Sequence, residues 1–186
     1  VGSEMCIRDR EELQRSYEIQ AVLNRLLHIS TEDVPLESML EEFLKQVTLT
    51  PSFQLESKGA IFLVEDDEET LVLKAHRGLS HQLVTACERV PFGRCLCGRA
   101  ASSRQVVFAG HVDERHETRY DGIVPHGHYC VPVLSTGQKV LGVINLYAEE
   151  GHRRNKNEEQ FLCAIADVLA GFVERKRTET CLLYTS

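Results

Sequence analysis

Four short apolar runs, tied in pairs by polar turns, constrain this chain most. Lys58–Val64 is almost continuously apolar, Glu65–Glu69 is an acidic turn, and Thr70–His76 alternates with Leu71, Leu73 and Ala75 on one side. Tyr129–Leu134 and Lys139–Tyr147 repeat the arrangement around Ser135-Thr136-Gly137-Gln138. Turns this short return a strand antiparallel to its partner. Unbroken apolar runs suit central strands covered on both faces. The chain therefore predicts an α+β fold built on an antiparallel sheet, with something packed on each side.

One cover is helical. Glu11–Ile29 carries an apolar stripe at Ile19, Val22, Leu23, Leu26 and Ile29, and a second, weaker stripe at Leu13, Tyr17, Gln20, Asn24 and Leu27. Leu36–Val47 repeats at three and four, with Pro35 placed for its first turn. Asn155 with Glu158 reads as a capping box. It opens a helix over 155–178 that turns Phe161, Ile165, Val168, Leu169, Phe172 and Val173 inward. The other cover is left to short helices near Ser80–Glu88 and Cys97–Ser102, a brief strand at Gln105–Phe108, and a loop over 109–125. A ligand pocket is expected between that loop and the sheet, with the long helices on the opposite face.

At 186 residues and 42% hydrophobic the chain holds one core. A formal charge of −7 and a pI near 5.6 exclude a general nucleic-acid binder. No run reaches the roughly 18 apolar residues of a membrane span. Seven cysteines without a secretory leader predict thiols in the reducing cytoplasm. The opening VGSEMCIRDR and the closing CLLYTS resemble translated sequencing-adapter DNA. Residues 1–10 and 181–186 are set aside on that expectation, leaving 11–29 as a signalling helix and 30–175 as the domain.

Chemistry concentrates in Phe92–Val133, which holds three of the seven cysteines and four of the eight histidines. Cys95 and Cys97, two residues apart between Gly93 and Gly98, can chelate a soft metal, and a helix start lowers a thiol pKa. Alternation puts His126, His128 and Cys130 on one face. In the expected fold His116 on the polar loop would lie opposite the Cys95–Cys97 region, and Arg115 or Arg119 could meet an anion. The candidate pocket is Cys95, Cys97, His116, Tyr120, His126, His128 and Cys130. Its metal subset is Cys95, Cys97, His116, His126 and His128, suited to Zn or Fe, mononuclear or as an iron–sulfur cluster. His111 is a weaker candidate. Cys87 and Cys163 read as core packing, and His28, His76, His81 and His152 as surface or packing residues.

These segments together resemble a GAF domain, the small-molecule-binding relative of the PAS domain. The resemblance rests on the hairpin of Lys58–Val64 and Leu71–Gly78, on Gly93–Ala100, and on the closing hairpin of Tyr129–Val133 and Val140–Leu146, and covers roughly 23–175. It implies a sensor module of a bacterial signal-transduction protein such as a histidine kinase, diguanylate cyclase or activator. Such a module binds a small molecule or metal, pairs as a homodimer through its terminal helices, and is not itself an enzyme. Two alternatives stay open: a thiol enzyme like the GAF-fold free methionine-sulfoxide reductases, and a ligand-free dimerising spacer.

Overall fold

The computed structural model describes residues 2–51, 55–65, 67, 69–118 and 123–184. The elements run α1 (Gly2–Ser30), α2 (Leu36–Thr48), β1 (Leu55–Val64), β2 (Thr70–Arg77), α3 (His81–Ala86), β3 (Arg89–Pro91), α4 (Cys95–Ser103), β4 (Val107–Ala109), β5 (Gly127–Leu134), β6 (Val140–Ala148) and α5 (Lys156–Tyr184). Among the described residues the strands form one antiparallel sheet in the order β3-β2-β1-β6-β5-β4. The two hairpins lie side by side, with β1 against β6 at the centre.

Period-two alternation sorts the core into two layers. Ile61 and Leu63 of β1, Tyr129, Val131 and Val133 of β5, and Ile144 and Leu146 of β6 pack against α1, α2 and α5. Ala60, Phe62, Cys130 and Val143 point the other way, against Leu96, Cys97, Ala100 and Ala101 of α4. The predicted division, long helices on one face and short helices on the other, is the observed one.

Local details differ from the sequence reading. Leu71, Leu73 and Ala75 do not share a face. Ile61 pairs with Ala75 while Phe62 pairs with Leu73, so Lys74 is an extra residue in β2. That bulge turns Ala75 to the helix layer and leaves Leu71 and Leu73 with α4. Arg89–Pro91, for which no strand was expected, pairs as an edge strand on β2. Pro35 is the N-cap of α2 rather than part of its first turn, and no side chain caps that helix. The terminal helices extend past the expected bounds: α1 includes residues 2–10, and α5 continues to Tyr184. The strong stripe of α1 faces the core, whereas Leu13, Tyr17 and Leu27 stay exposed.

Asn155 makes half of the expected capping box. Its Oδ1 accepts from the backbone N–H groups of Asn157 and Glu158, at 2.9 and 3.3 Å. The Glu158 carboxylate does not return to Asn155 N. It accepts instead from the Tyr129 hydroxyl at 3.0 Å and His152 Nε2 at 2.7 Å, and Asn155 N–H donates to the Tyr129 hydroxyl at 2.9 Å.

Candidate metal centre

β5 begins at Gly127, so the extended backbone aims His128 and Cys130 at the α4 layer, and His126 joins them from the residue before the strand. His116 enters from the loop between β4 and β5. All three histidines are buried, with 5%, 5% and 2% exposure at His116, His126 and His128. One ring nitrogen from each lies within 4.8 Å of the other two.

Two of the three rings are oriented from behind, whereas His116 Nδ1 is buried without a hydrogen-bond partner. His128 Nδ1 is 2.9 Å from Asn145 Oδ1, so it carries the proton and leaves Nε2 with its lone pair forward. His126 Nδ1 is 2.5 Å from the Val124 carbonyl, with the same consequence. His126 Nε2 is buried without a hydrogen-bond partner. His116 Nε2 and His128 Nε2 are 3.1 Å apart. Two nitrogens bound to one tetrahedral zinc at about 2.0–2.1 Å sit about 3.3 Å from each other, so this spacing needs little adjustment. Burial, with the neighbouring His126 and His116, pushes the His128 imidazole down to about 3, and burial likewise lowers His116. Both are therefore neutral near pH 7, the form that ligates a metal. Tyr147 packs on His126 and His128, with ring centroids at 4.9 and 4.3 Å.

The thiols form a second group. Cys97 Sγ and Cys130 Sγ are buried and 3.7 Å apart, on α4 and β5. The expected acidification of a thiol at a helix start is not seen at Cys97. Its contact with Cys130 and full burial raise its pKa well above the ordinary thiol range. Cys130 Sγ also reaches Asn145 Oδ1 at 3.6 Å, so one amide supports both groups. Cys95 opens α4 with φ 53°, after Gly93 at φ 80°. Gly98 is required here, because a Cβ on it would lie 2.2 Å from the Pro91 carbonyl oxygen.

A cavity of about 30 Å³ separates α3 and α4 from the sheet. Cys95, Cys97, His116 and His128 line it, and so does Cys87. A larger open groove of about 800 Å³ runs between the end of β5 and α5, away from the histidines.

Of the sequence candidates, His116, His126 and His128 converge, Cys97 pairs with Cys130, and Cys95 shares the cavity wall. Tyr120 and Arg119 lie outside the described residues. Arg115 is engaged by Asp113 and the Phe108 carbonyl, and His111 is exposed. Cys163 is exposed on α5 rather than packed in the core. His28, His76 and His81 are exposed, whereas His152 is held by Glu158. Sequence reading missed Asn145. Its signal was an amide inside the otherwise apolar run VLGVINLYA, a polar group that must be partnered once buried.

A family model described as GAF domain matches residues 33–174. A free methionine-R-sulfoxide reductase of Saccharomyces cerevisiae is 28% identical over 110 residues, 55% of this chain and 54% of that protein. The match thus spans about half the length of that curated relative. The GAF domain of a phosphoenolpyruvate-protein phosphotransferase from Coxiella burnetii superimposes with a TM-score of 0.75 at 20% identity, covering 89% of this chain and 98% of that one. Free methionine-R-sulfoxide reductase from Neisseria meningitidis, solved with its substrate, gives 0.70 at 21%, covering 87% and 91%. These relatives overturn the expectation that the chain is not an enzyme. The fold and a matching sequence occur in reductases, so the fold itself carries no absence of activity.

Proposed function

The chain belongs to the GAF domain family, and on that premise we propose that it is a sensor module whose three buried histidines hold one divalent first-row metal ion. The observation that carries this reading is the His116–His126–His128 convergence, with two Nδ1 atoms fixed from behind. Imidazole ligands suit zinc, iron, nickel or copper. A packed cluster of neutral histidines accounts for the 3.1 Å contact as an N–H···N bond. It leaves His126 Nε2 buried and unpaired, which costs roughly 1–3 kcal/mol and which a metal ion would relieve, while His116 Nδ1 is buried without a partner in either case.

The route outward is short. β5 carries His128 on one face and Tyr129 on the other, and the Tyr129 hydroxyl holds the first turn of α5. Metal occupancy fixes β5 and so biases α5, and through it the effector of a signalling protein. Anaerobic purification with metal analysis tests the reading. The expected result is about one ion per chain, and a melting temperature that falls when a chelator removes it. A metal-free chain with a melting temperature indifferent to added zinc and iron would sink it.

A second reading is favoured by the Cys97–Cys130 pair and by the reductase relatives. Two thiols reduce a sulfoxide by forming one disulfide, releasing the thioether and one water. The described cavity lining offers no carboxylate to meet the ammonium group of a free amino acid, so this reading requires the cavity to open. Turnover of free methionine-R-sulfoxide with a thiol reductant, abolished in both Cys97→Ala and Cys130→Ala, would establish it. Turnover that persists in both variants excludes this thiol pair as the reductant.

A further inference from the structure

Three imidazoles do not close the coordination shell of a first-row ion, and a site with three protein ligands keeps a position for an outside molecule. The cavity beside the histidines says what size of molecule that is. His116 and His128 form part of its wall, so the cluster borders it. Its volume of about 30 Å³ exceeds the roughly 10–15 Å³ that one water requires, and falls far short of a nucleotide or amino acid. Phe62, Leu83, Val90 and Leu96 share the remaining wall with the thiols of Cys87, Cys95 and Cys97, and among the described residues no lysine or arginine lines it. An oxyanion such as phosphate would find no room, and among the described residues no counter-charge beyond the metal itself.

We infer that the metal's open position faces this cavity and takes a ligand of two or three heavy atoms bound end-on, a diatomic gas or a small linear anion, and nothing bulkier. This rests on the metal reading and names what the site would sense. Leu83 and Thr118 act as the size limit, one from α3 and one from the loop that carries His116.

The test uses the full chain loaded anaerobically with Co(II), whose visible bands report coordination. Azide probes the linear anion, nitric oxide on the Fe(II)-loaded chain probes the diatomic, and imidazole serves as the bulky control. The expected result is a band shift with azide or a nitrosyl spectrum with nitric oxide, and no change with imidazole. Leu83→Phe, and separately Thr118→Leu in case the first disturbs folding, should leave the Co(II) bands in place and weaken the small-ligand response at least tenfold. Metal uptake with no response to azide or nitric oxide overturns this inference and leaves the metal reading standing. An equal response to imidazole overturns the size limit. Failure to take up Co(II) or Fe(II) removes both readings.

Discussion

His128 and Tyr129 are adjacent in β5 and serve opposite faces of the sheet. On one side His128 Nδ1 lies 2.9 Å from Asn145 Oδ1. On the other, the Tyr129 hydroxyl donates to Glu158 at 3.0 Å and accepts from Asn155 N–H at 2.9 Å. Strand geometry alone produces this, since successive side chains point to opposite faces. A single peptide unit thus joins the histidine cluster to the start of α5. Burial, with the Glu158 carboxylate alongside, holds the Tyr129 hydroxyl protonated well above the ordinary phenol range, so it donates at any physiological pH.

Tyr129→Phe keeps the ring in the core and deletes only the hydroxyl. Asn155 N–H loses its acceptor, and Glu158, which is 6% exposed, keeps His152 alone. Urea denaturation should show a loss of about 1–3 kcal/mol. Metal affinity should change little, because no ligand is touched. An unchanged midpoint would show that the hydroxyl contacts do not hold α5.

Asn145→Ala removes the acceptor that orients His128, and also the partner of Cys130. Loss of such a supporting contact typically weakens metal binding about 10–100-fold. Calorimetric titration of zinc into chelator-treated protein measures this. Undiminished affinity would mean that His128 is oriented by packing against Tyr147 instead.

The sheet and its two covers were legible because apolar runs, turn residues and helical stripes all pointed to one arrangement. The bulge at Lys74 was not, since one extra residue leaves an alternating pattern looking intact on either side of it. Nor was β3, where three residues around Val90 carry too little pattern to announce a strand. For the site, the spacing of His126, His128 and Cys130 gave the shared face, but the partition of the metal-binding candidates depends on where α4 sits. Burial of Cys97 against Cys130 takes that thiol out of the histidine group. The approach of Gly98 to Pro91 that seats α4 is a contact between segments, visible only in three dimensions.

Cys87 should make the folded chain more sensitive to alkali. Burial, with the nearby Cys97, pushes its thiol up to about 11, against about 9 when unfolded. The folded state therefore holds the proton more tightly. The resulting stability is present in full below pH 9 and is lost as pH rises towards 11, by up to about 2 kcal/mol. Unfolding midpoints measured across pH 8–11 should fall more steeply for the parent chain than for Cys87→Ala. Parallel curves would show that the cavity admits water at Cys87.

The weaker stripe of α1 has the spacing of a coiled-coil seam. Leu13, Tyr17, Gln20, Asn24 and Leu27 recur at four, three, four and three, and Leu13, Tyr17 and Leu27 are 73%, 72% and 50% exposed. Gln20 and Asn24 are hydrogen-bonded to each other at 3.1 Å, and a polar residue inside such a seam fixes register between two identical helices. We propose a second copy of this chain as the partner for this seam. Analytical ultracentrifugation should give twice the 21.0 kDa chain mass, or about 42 kDa. Leu13→Glu with Leu27→Glu should return it to the single-chain mass without changing the helix signal or the metal content. A parent chain that stays at single-chain mass at high micromolar concentration would rule out pairing through α1.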